Sequence, residues 1–420
     1  MRVLVIGGGA REHALVTRLM VDSSVTVECA PGNPGIDELV STHQVNQADP
    51  DALLALATRL EVDLTVIGPE LPLSVGVADR FAEAGHLLLG PTAAAARLES
   101  SKAFAKAFMA RHNVPTARFH VAESESDALA FARRGAFGFP VVLKADGLAA
   151  GKGVVIAQDL AEAEDTIVGA MTEGRFGAAG ERLVIEECLS GPEVSFFVLS
   201  DGVRALPIGT AQDHKRIFDN DLGPNTGGMG AFAPSPLVDA ALHEQVMRDI
   251  VRPVIDGMAA EGNPFRGFLY VGLMLTADGP RVIEFNVRLG DPEAQVILPR
   301  IAEPLAPLLA AAARGSLDGE RCAMNDDHLV GVVLASRGYP ELAESGQAIT
   351  GIEDARGVYV LHAGTAIRDG RLVTAGGRVL TVVGRGVDFA EARVRAYEGV
   401  RAIAFDGMQY RSDIGLEALV

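Results

Sequence analysis

The run Val282-Ile283-Glu284-Phe285-Asn286-Val287-Arg288 holds the pattern with the most chemical content in this 420-residue chain. In an extended backbone alternate side chains share a face. Glu284, Asn286 and Arg288 are therefore expected to project together, while Ile283, Phe285 and Val287 enter the core. A carboxylate and an amide oxygen two residues apart are hard ligands that suit Mg2+ bridged to phosphates. Arg288 on the same face would meet a transferring phosphoryl group. An amphipathic strand with a solvated polar side is the plainer reading, but it leaves the abrupt turn Gly290-Asp291-Pro292-Glu293 without a purpose.

Four other clusters could act on the same ligand. Lys144-Ala145-Asp146-Gly147-Leu148-Ala149-Ala150-Gly151-Lys152-Gly153 fails as a Walker loop, because only three residues separate its glycines and Gly153 stands where Ser or Thr would hold magnesium. It is followed by a strand, so it reads as a flap between two strands, with Lys152 closing on phosphates and Lys144 reaching them from the sheet. Glu186-Glu187-Cys188-Leu189-Ser190-Gly191-Pro192-Glu193 ends a strand in acids. These are either solvated or placed to recognise adenosine, with a carboxylate accepting ribose hydroxyls. Asp213, His214, Lys215 and Arg216 form a polar set able to take an anionic or zwitterionic substrate. Gly7-x-Gly9 follows a strand, but Glu12 occupies the place of the third glycine of a dinucleotide fingerprint. That leaves a tight turn, or phosphate binding at a helix N-terminus with Arg11 adding charge.

The elements that must position these groups are legible in outline. Residues 1–92 alternate short β-branched runs (3–6, 25–29, 64–67, 87–89) with helix-like stretches (12–21, 51–60, 74–84), the rhythm of a parallel sheet with crossover helices. Each strand runs into glycine or proline at its C-terminal end, where open α/β sheets place ligands. A helix over 101–112 follows. Strand and hairpin signals then appear at 140–144, 154–157, 183–187 and 194–199. Residues 207–236 are too rich in Gly, Asn, Pro and Asp for a simple turn. An apolar helix over 302–314 precedes strands at 330–335, 358–363 and 379–383, a turn at Asp369-Gly370 and a helix over 389–400.

Composition narrows the class. Lys+Arg 37 against Asp+Glu 55 leaves a formal charge of −18, so non-specific attraction to nucleic acid or anionic lipid is not expected. With 48% hydrophobic and 22% charged residues the chain reads as globular, and 5% aromatics with no Trp argue against stacking on single strands. Cys29, Cys188 and Cys322 are far apart and lack metal-ligand spacing, which fits a reducing compartment. The start is too short in apolar residues for a secretory signal, and no run reaches 18 apolar residues. A cytoplasmic, soluble protein is the expectation.

In order along the chain, Gly9-Ala10-Arg11-Glu12-His13-Ala14-Leu15, Ala30-Pro31-Gly32-Asn33, Gly68-Pro69-Glu70, the loop from Lys144 to Gly153, Gln212-Asp213-His214-Lys215-Arg216, Gly223 to Ala231, Ile283 to Glu293 and Tyr410-Arg411-Ser412-Asp413-Ile414-Gly415 resemble the phosphoribosylamine–glycine ligase family of the ATP-grasp superfamily. The resemblance implies an α/β and α+β multidomain chain, an ATP-grasp fold with an N-terminal Rossmann-like parallel-sheet domain and a small C-terminal α+β domain. The implied limits are 1–100 for the N-terminal domain, 101–192 for a helical connector and flap-bearing subdomain, 193–325 for the central subdomain and 326–420 for the C-terminal domain. It implies ATP-dependent ligation of glycine to 5-phospho-β-D-ribosylamine through glycyl phosphate, the second step of de novo purine synthesis, by a monomer that binds neither nucleic acid nor membrane.

By the same resemblance Glu284 and Asn286 would hold Mg2+ or Mn2+. Lys102, Lys144, Gly151, Lys152, Gly153, Glu186, Glu187, Leu189 and Glu193 would bind ATP. Gly8, Gly9, Asn33, Glu70, Asp213, Lys215, Gly228, Arg288 and Asp291 would bind the other substrates, with Arg288, Lys144 and Asp213 catalytic. Residues 268–276 contain no acid, so the preceding strand offers no further acidic metal ligand. A related carboxylase would instead turn over bicarbonate. A regulatory module without catalysis would lack Glu284, Asn286 or Lys144, and all three are present. Hydride transfer is disfavoured by the incomplete glycine fingerprint.

Overall fold

Short β-branched runs build the first sheet, and burial on both faces explains the unbroken apolar run Val3-Leu4-Val5-Ile6 of its central strand. The computed structural model describes residues 1–147 and 153–419. Strands β1 (Arg2–Gly7), β2 (Thr26–Pro31), β3 (Ser41–Thr42), β4 (Leu64–Ile67) and β5 (Leu88–Leu89) pair in parallel in the order β3-β2-β1-β4-β5. Val3 and Val5 pack into one core and Leu4 and Ile6 into another. The expected parallel sheet is present. The helix expected over 74–84 is instead two, Glu70–Ser74 and Val77–Glu83, because Gly76 between them is left-handed at φ +84° and interrupts the hydrogen-bond ladder. Strand β3, only two residues long, carries no alternation that could have announced it.

The helices Ala93–Ser100 and Lys102–Arg111 abut, with Ser101 capping the second through its hydroxyl, which accepts from Phe104 N–H at 3.1 Å. They lead to an antiparallel sheet of β6 (Phe119–Ala122), β7 (Val141–Ala145), β8 (Val154–Ala157) and β9 (Leu183–Glu187), ordered β6-β9-β7-β8. Lys144 pairs with Val154 across the β7–β8 hairpin, so the glycine-rich loop does join two strands.

The largest sheet has eight strands. It contains β10 (Glu193–Asp201), β11 (Ala205–Asp213), β14 (Gly230–Ala233), β15 (Arg266–Thr276), β16 (Gly279–Asn286), β17 (His328–Ala335), β18 (Tyr359–His362) and β21 (Arg378–Gly386), in the order β16-β15-β10-β11-β14-β17-β21-β18. A ribbon of β12 (Arg216–Phe218) and β13 (Leu222–Asn225) lies between β11 and β14 in sequence, so residues 207–236 are mostly strand rather than linker. A second ribbon, β19 (Thr365–Arg368) and β20 (Arg371–Thr374), turns at Asp369 and Gly370, both at positive φ, as two-residue hairpins require. Pairing of β14 with β17 carries the sheet into the C-terminal residues, where the helix Phe389–Ala402 covers it. Among the described residues no helix is long and apolar enough to cross a membrane.

One expectation about burial is corrected. On β16, Gly272 faces Glu284 while Leu273 faces Val282, so Ile283 is an extra, bulged residue. Val282, Phe285 and Val287 are buried and Ile283 is only partly so. The bulge moves Val282 rather than Ile283 into the core, and it leaves the phase of Glu284, Asn286 and Arg288 intact.

Candidate active site

The bulge has a chemical consequence. The Ile283 carbonyl, freed from the ladder, accepts from Lys144 Nζ at 3.0 Å, which brings β7 of the small sheet against β16 of the large one. Burial works against ionisation of Glu284, but Lys215, Lys144, Lys102 and Arg288 outweigh it and hold the carboxyl below its usual range. Two lysines from the flap side thus act on the acid of the strand side.

Arg288 sits past the end of β16 between two acids. Its Nε lies 3.1 Å from Glu70 Oε2 and its Nη2 2.9 Å from Glu99 Oε1. Burial alone would weaken the guanidinium, yet Glu99, Glu70, Glu293 and Asp291 raise its pKa above the ordinary value. Glu70, expected on the substrate side, is therefore placed against Arg288 at the C-terminal end of β4.

The lysine side is assembled from three segments. Lys102, at the first position of its helix, donates to the Gly147 carbonyl at 2.8 Å. Burial lowers its pKa against the pull of Glu284. Lys144 Nζ lies 3.0 Å from Glu186 Oε1, and Lys106 Nζ lies 2.7 Å from Glu186 Oε2. All three side chains are more than nine-tenths buried. Burial lowers Lys106 to about 8 despite Glu186. Glu187 accepts from Arg118 N–H at 2.8 Å and from its Nε at 2.6 Å. Leu189 is half-buried in the connector to β10, and Glu193 accepts from Lys215 Nζ at 2.8 Å. Gly153 accepts from Ala145 N–H at 2.8 Å, closing the base of the flap. Gly151 and Lys152 lie outside the described residues.

The remaining candidates lie on other segments. Asp213 ends β11, where burial raises its carboxyl against the opposing pull of Lys215, and Glu193 and Glu284 raise it further. Burial and Asp213 push Glu293 up to about 7. Gly228 must be glycine: it sits at φ +110°, and a Cβ there would lie 2.4 Å from Pro292 Cδ. Asp291 is bound by Arg378 Nη2 at 3.1 Å, which with Arg11 holds it below its usual range despite burial. At the first glycine turn, a Cβ on Gly8 would lie 2.4 Å from the Gly32 carbonyl. Asn33 Nδ2 donates to the carbonyls of Gly8 at 3.0 Å and His362 at 2.8 Å. The Gly9 amide donates to Glu12 Oε2 at 2.6 Å, and Arg11 is committed to Glu12 and the Leu289 carbonyl.

Four further residues belong here that motif reading did not single out. Glu99 grips Arg288, Lys106 shares Glu186 with Lys144, and Asp146 accepts from Ser101 Oγ and Ala103 N–H, both at 3.1 Å, anchoring the flap root to the helix that bears Lys102. Arg378 reaches the Gly227 carbonyl at 2.5 Å as well as Asp291. Lys106 was detectable as the residue one helical turn after Lys102. The others pair with segments too distant in sequence to be inferred.

The donor chemistry fits a hard cation. Glu284 is anionic. Hydrogen bonding selects the Asn286 amide orientation in which Nδ2 donates to Glu99 Oε1 at 3.1 Å and to the Phe285 carbonyl at 3.2 Å, because the opposite orientation would set Oδ1 against both acceptors. Among the described residues no three His, Cys, Asp or Glu side chains cluster as a cage, so a cation held here takes its remaining ligands from phosphate and water.

Comparison with known proteins gives three family matches: the N domain of phosphoribosylglycinamide synthetase over residues 1–99, its ATP-grasp (A) domain over 100–294 and its C domain over 329–417. A phosphoribosylamine–glycine ligase from Xylella fastidiosa is 49% identical over 426 residues, covering all of this chain and 99% of that protein. One from Streptomyces coelicolor is 50% identical over 425 residues with the same coverage. The crystal structure of a phosphoribosylamine–glycine ligase from Thermotoga maritima matches with a TM-score of 0.87 at 34% identity, covering 98% of this chain and 100% of that one. A biotin carboxylase from Campylobacter jejuni matches with a TM-score of 0.75 at 16% identity over 99% and 94% of the two chains, a likeness of fold alone.

Proposed function

The chain belongs to the phosphoribosylglycinamide synthetase family, and from that premise we propose that it joins glycine to 5-phospho-β-D-ribosylamine with ATP, giving glycinamide ribonucleotide, ADP and phosphate. This is the second step of purine biosynthesis. It is an ATP-dependent ligase of the ATP-grasp fold. A glycine carboxylate oxygen attacks the γ-phosphorus as the bond to the ADP oxygen breaks. The ribosylamine nitrogen then attacks the acyl carbon of glycyl phosphate, releasing phosphate and a proton.

Each of these groups has a task in that scheme. Lys102 and Lys144 bind phosphate oxygens together with Gly151, Lys152 and Gly153, and Glu186, Glu187, Leu189 and Glu193 take the adenosine. Glu284 and Asn286 hold Mg2+ or Mn2+, which when bound neutralises phosphate charge. Arg288 stabilises the transferring phosphoryl group. Asp213, Lys215 and Asp291 orient glycine and the amine. Gly8, Gly9, Asn33, Glu70 and Gly228 line the path of the ribosyl phosphate from the first sheet. The working units are 1–100, 101–192, 193–325 and 326–420, acting as a cytoplasmic monomer.

The observation that supports this reading most is the meeting of Lys144 with β16 at Ile283, beside Glu284. An ADP-release assay with each substrate omitted in turn tests it, repeated with Glu284→Ala. Steady release requires glycine and ribosylamine together and is lost in the variant. Steady release without either acceptor, turnover with bicarbonate, or an unimpaired variant contradicts the assignment.

A further inference from the structure

We propose that Glu99 is the positioning residue for the cation and phosphoryl side of the site. Its single carboxylate organises three consecutive residues at the end of β16, 188 positions away in sequence. Glu99 Oε2 accepts from the Val287 N–H at 2.8 Å. Its Oε1 lies 2.9 Å from Arg288 Nη2 and, in the Asn286 amide orientation that hydrogen bonding selects, 3.1 Å from Nδ2. Only 7% of the side chain is exposed. Backbone, amide and guanidinium donors from residues 286, 287 and 288 thus converge on one buried acid, and its acceptor capacity is matched by donors of fixed direction.

Two features separate this contact from a mere structural ion pair. First, Glu99 is in the last turn of the helix Ala93–Ser100, where a negative charge opposes the helix dipole, so the helix gains nothing from it. Second, the contact decides chemistry at Asn286. An amide nitrogen cannot ligate a cation. Holding Nδ2 on Glu99 is what keeps Oδ1, the only side-chain atom of Asn286 that can, turned away from Glu99 and the Phe285 carbonyl and open to a cation. The same carboxylate fixes one edge of Arg288, whose other acid differs in kind: Glu70 is 37% exposed and free to exchange Arg288 for substrate, while Glu99 is sealed.

This inference rests on the ligase reading for what the strand does, but it can fail separately. The test compares Glu99→Gln, Glu99→Asp and Glu70→Gln with wild type in three measurements: Mn2+ affinity by electron paramagnetic resonance with ADP present, hydrogen exchange at the Val287 amide without ligands, and steady-state kinetics. Glu99→Gln cannot accept on both oxygens, so it is expected to bind Mn2+ about 10- to 100-fold more weakly and to lose kcat by a similar factor. KM for ATP should change little and exchange at Val287 should be faster. Glu99→Asp should fall between it and wild type. Glu70→Gln should keep wild-type Mn2+ affinity.

If Glu99→Gln does not fold, Glu99→Asp carries the test by the same Mn2+ measurement. A folded Glu99 variant with wild-type Mn2+ affinity and kcat, altered only in melting temperature, overturns the proposal. Equal loss of Mn2+ affinity in Glu70→Gln does so too. If the ligase reading alone is wrong, wild type releases no ADP with glycine and ribosylamine while the Mn2+ and exchange differences persist.

Discussion

The strand end and the lysine side of the site are built by opposite means. At the strand end, Glu284, Asn286 and Arg288 come from one run of sequence and share a face because β geometry repeats every two residues. At the lysine side, Lys102 and Lys106 come from one helix, Lys144 from β7 and Glu186 from β9, so three segments must pack before two lysines meet one acid. The strand end is secured by a single buried partner, Glu99. The lysine side holds its positive charge through a shared counter-ion, Glu186, which leaves each lysine only partly neutralised. Local geometry can place ligands of fixed direction, whereas concentrating like charge for a triphosphate requires an acid imported from another element.

That contrast can be broken by mutation, and the strand end carries the greatest effect. Glu284→Gln keeps shape and removes the carboxylate proposed to hold the cation, so kcat is expected to fall about a thousandfold with little change in melting temperature; a tenfold loss or less would deny the strand end its leading role. Lys144→Met should raise KM for ATP about 10- to 100-fold, as removal of one charge-assisted contact does. It should also expose any dependence of the flap hairpin on the Ile283 carbonyl by faster exchange at residues 153–157. Lys106→Met is expected to leave kcat nearly intact but to cost about 3 kcal/mol of stability, since Glu186 loses one of two buried partners. Calorimetry beside kinetics separates the two lysines; equal loss of ATP affinity in both would mean that Lys106 binds nucleotide itself.

A pH scan distinguishes both sides from the seam where the first sheet meets the C-terminal residues. There His362 N–H donates to His13 Nδ1 at 2.9 Å. Burial, with His362 adding for His13, lowers these imidazoles to about 3 for His13 and about 4 for His362. The unfolded chain binds the protons first, so stability is full above about pH 6.5 and falls as pH drops from 6.5 towards 4, by up to about 1.4 kcal/mol per unit for each group. His13→Gln should flatten that slope without changing KM for ATP. An unchanged slope would place the acid sensitivity elsewhere. As the smallest effect, Arg248→Ala, which removes an exposed pair with Asp249, should shift stability by under about 0.5 kcal/mol and leave both sides untouched.

The same contrast explains what the sequence could disclose. Alternation over 282–288 revealed the strand end because the phase of β16 survives its bulge. The bulge itself was invisible: nothing in Val282-Ile283 marks which of two apolar neighbours turns inward, and the partner strand decides it. The parallel sheet was legible from apolar runs ending in glycine or proline, whereas the split at Gly76 depended on one left-handed residue within an otherwise helical stretch. Glu99, Arg378 and Glu186's second lysine escaped because their meaning lies in contacts across the fold, where spacing carries no signal.

In the proposed reaction these two differently built sides hold one triphosphate between them. A crystal structure with Mn2+ and an ATP analogue blocked at the β,γ bridge tests it most directly, with anomalous scattering to locate the metal. Mn2+ is expected on a Glu284 carboxylate oxygen and Asn286 Oδ1, with Lys102 and Lys144 on phosphate oxygens of the same nucleotide. A nucleotide whose phosphates contact only one of the two sides, or Mn2+ bound away from Glu284 and Asn286, would contradict it.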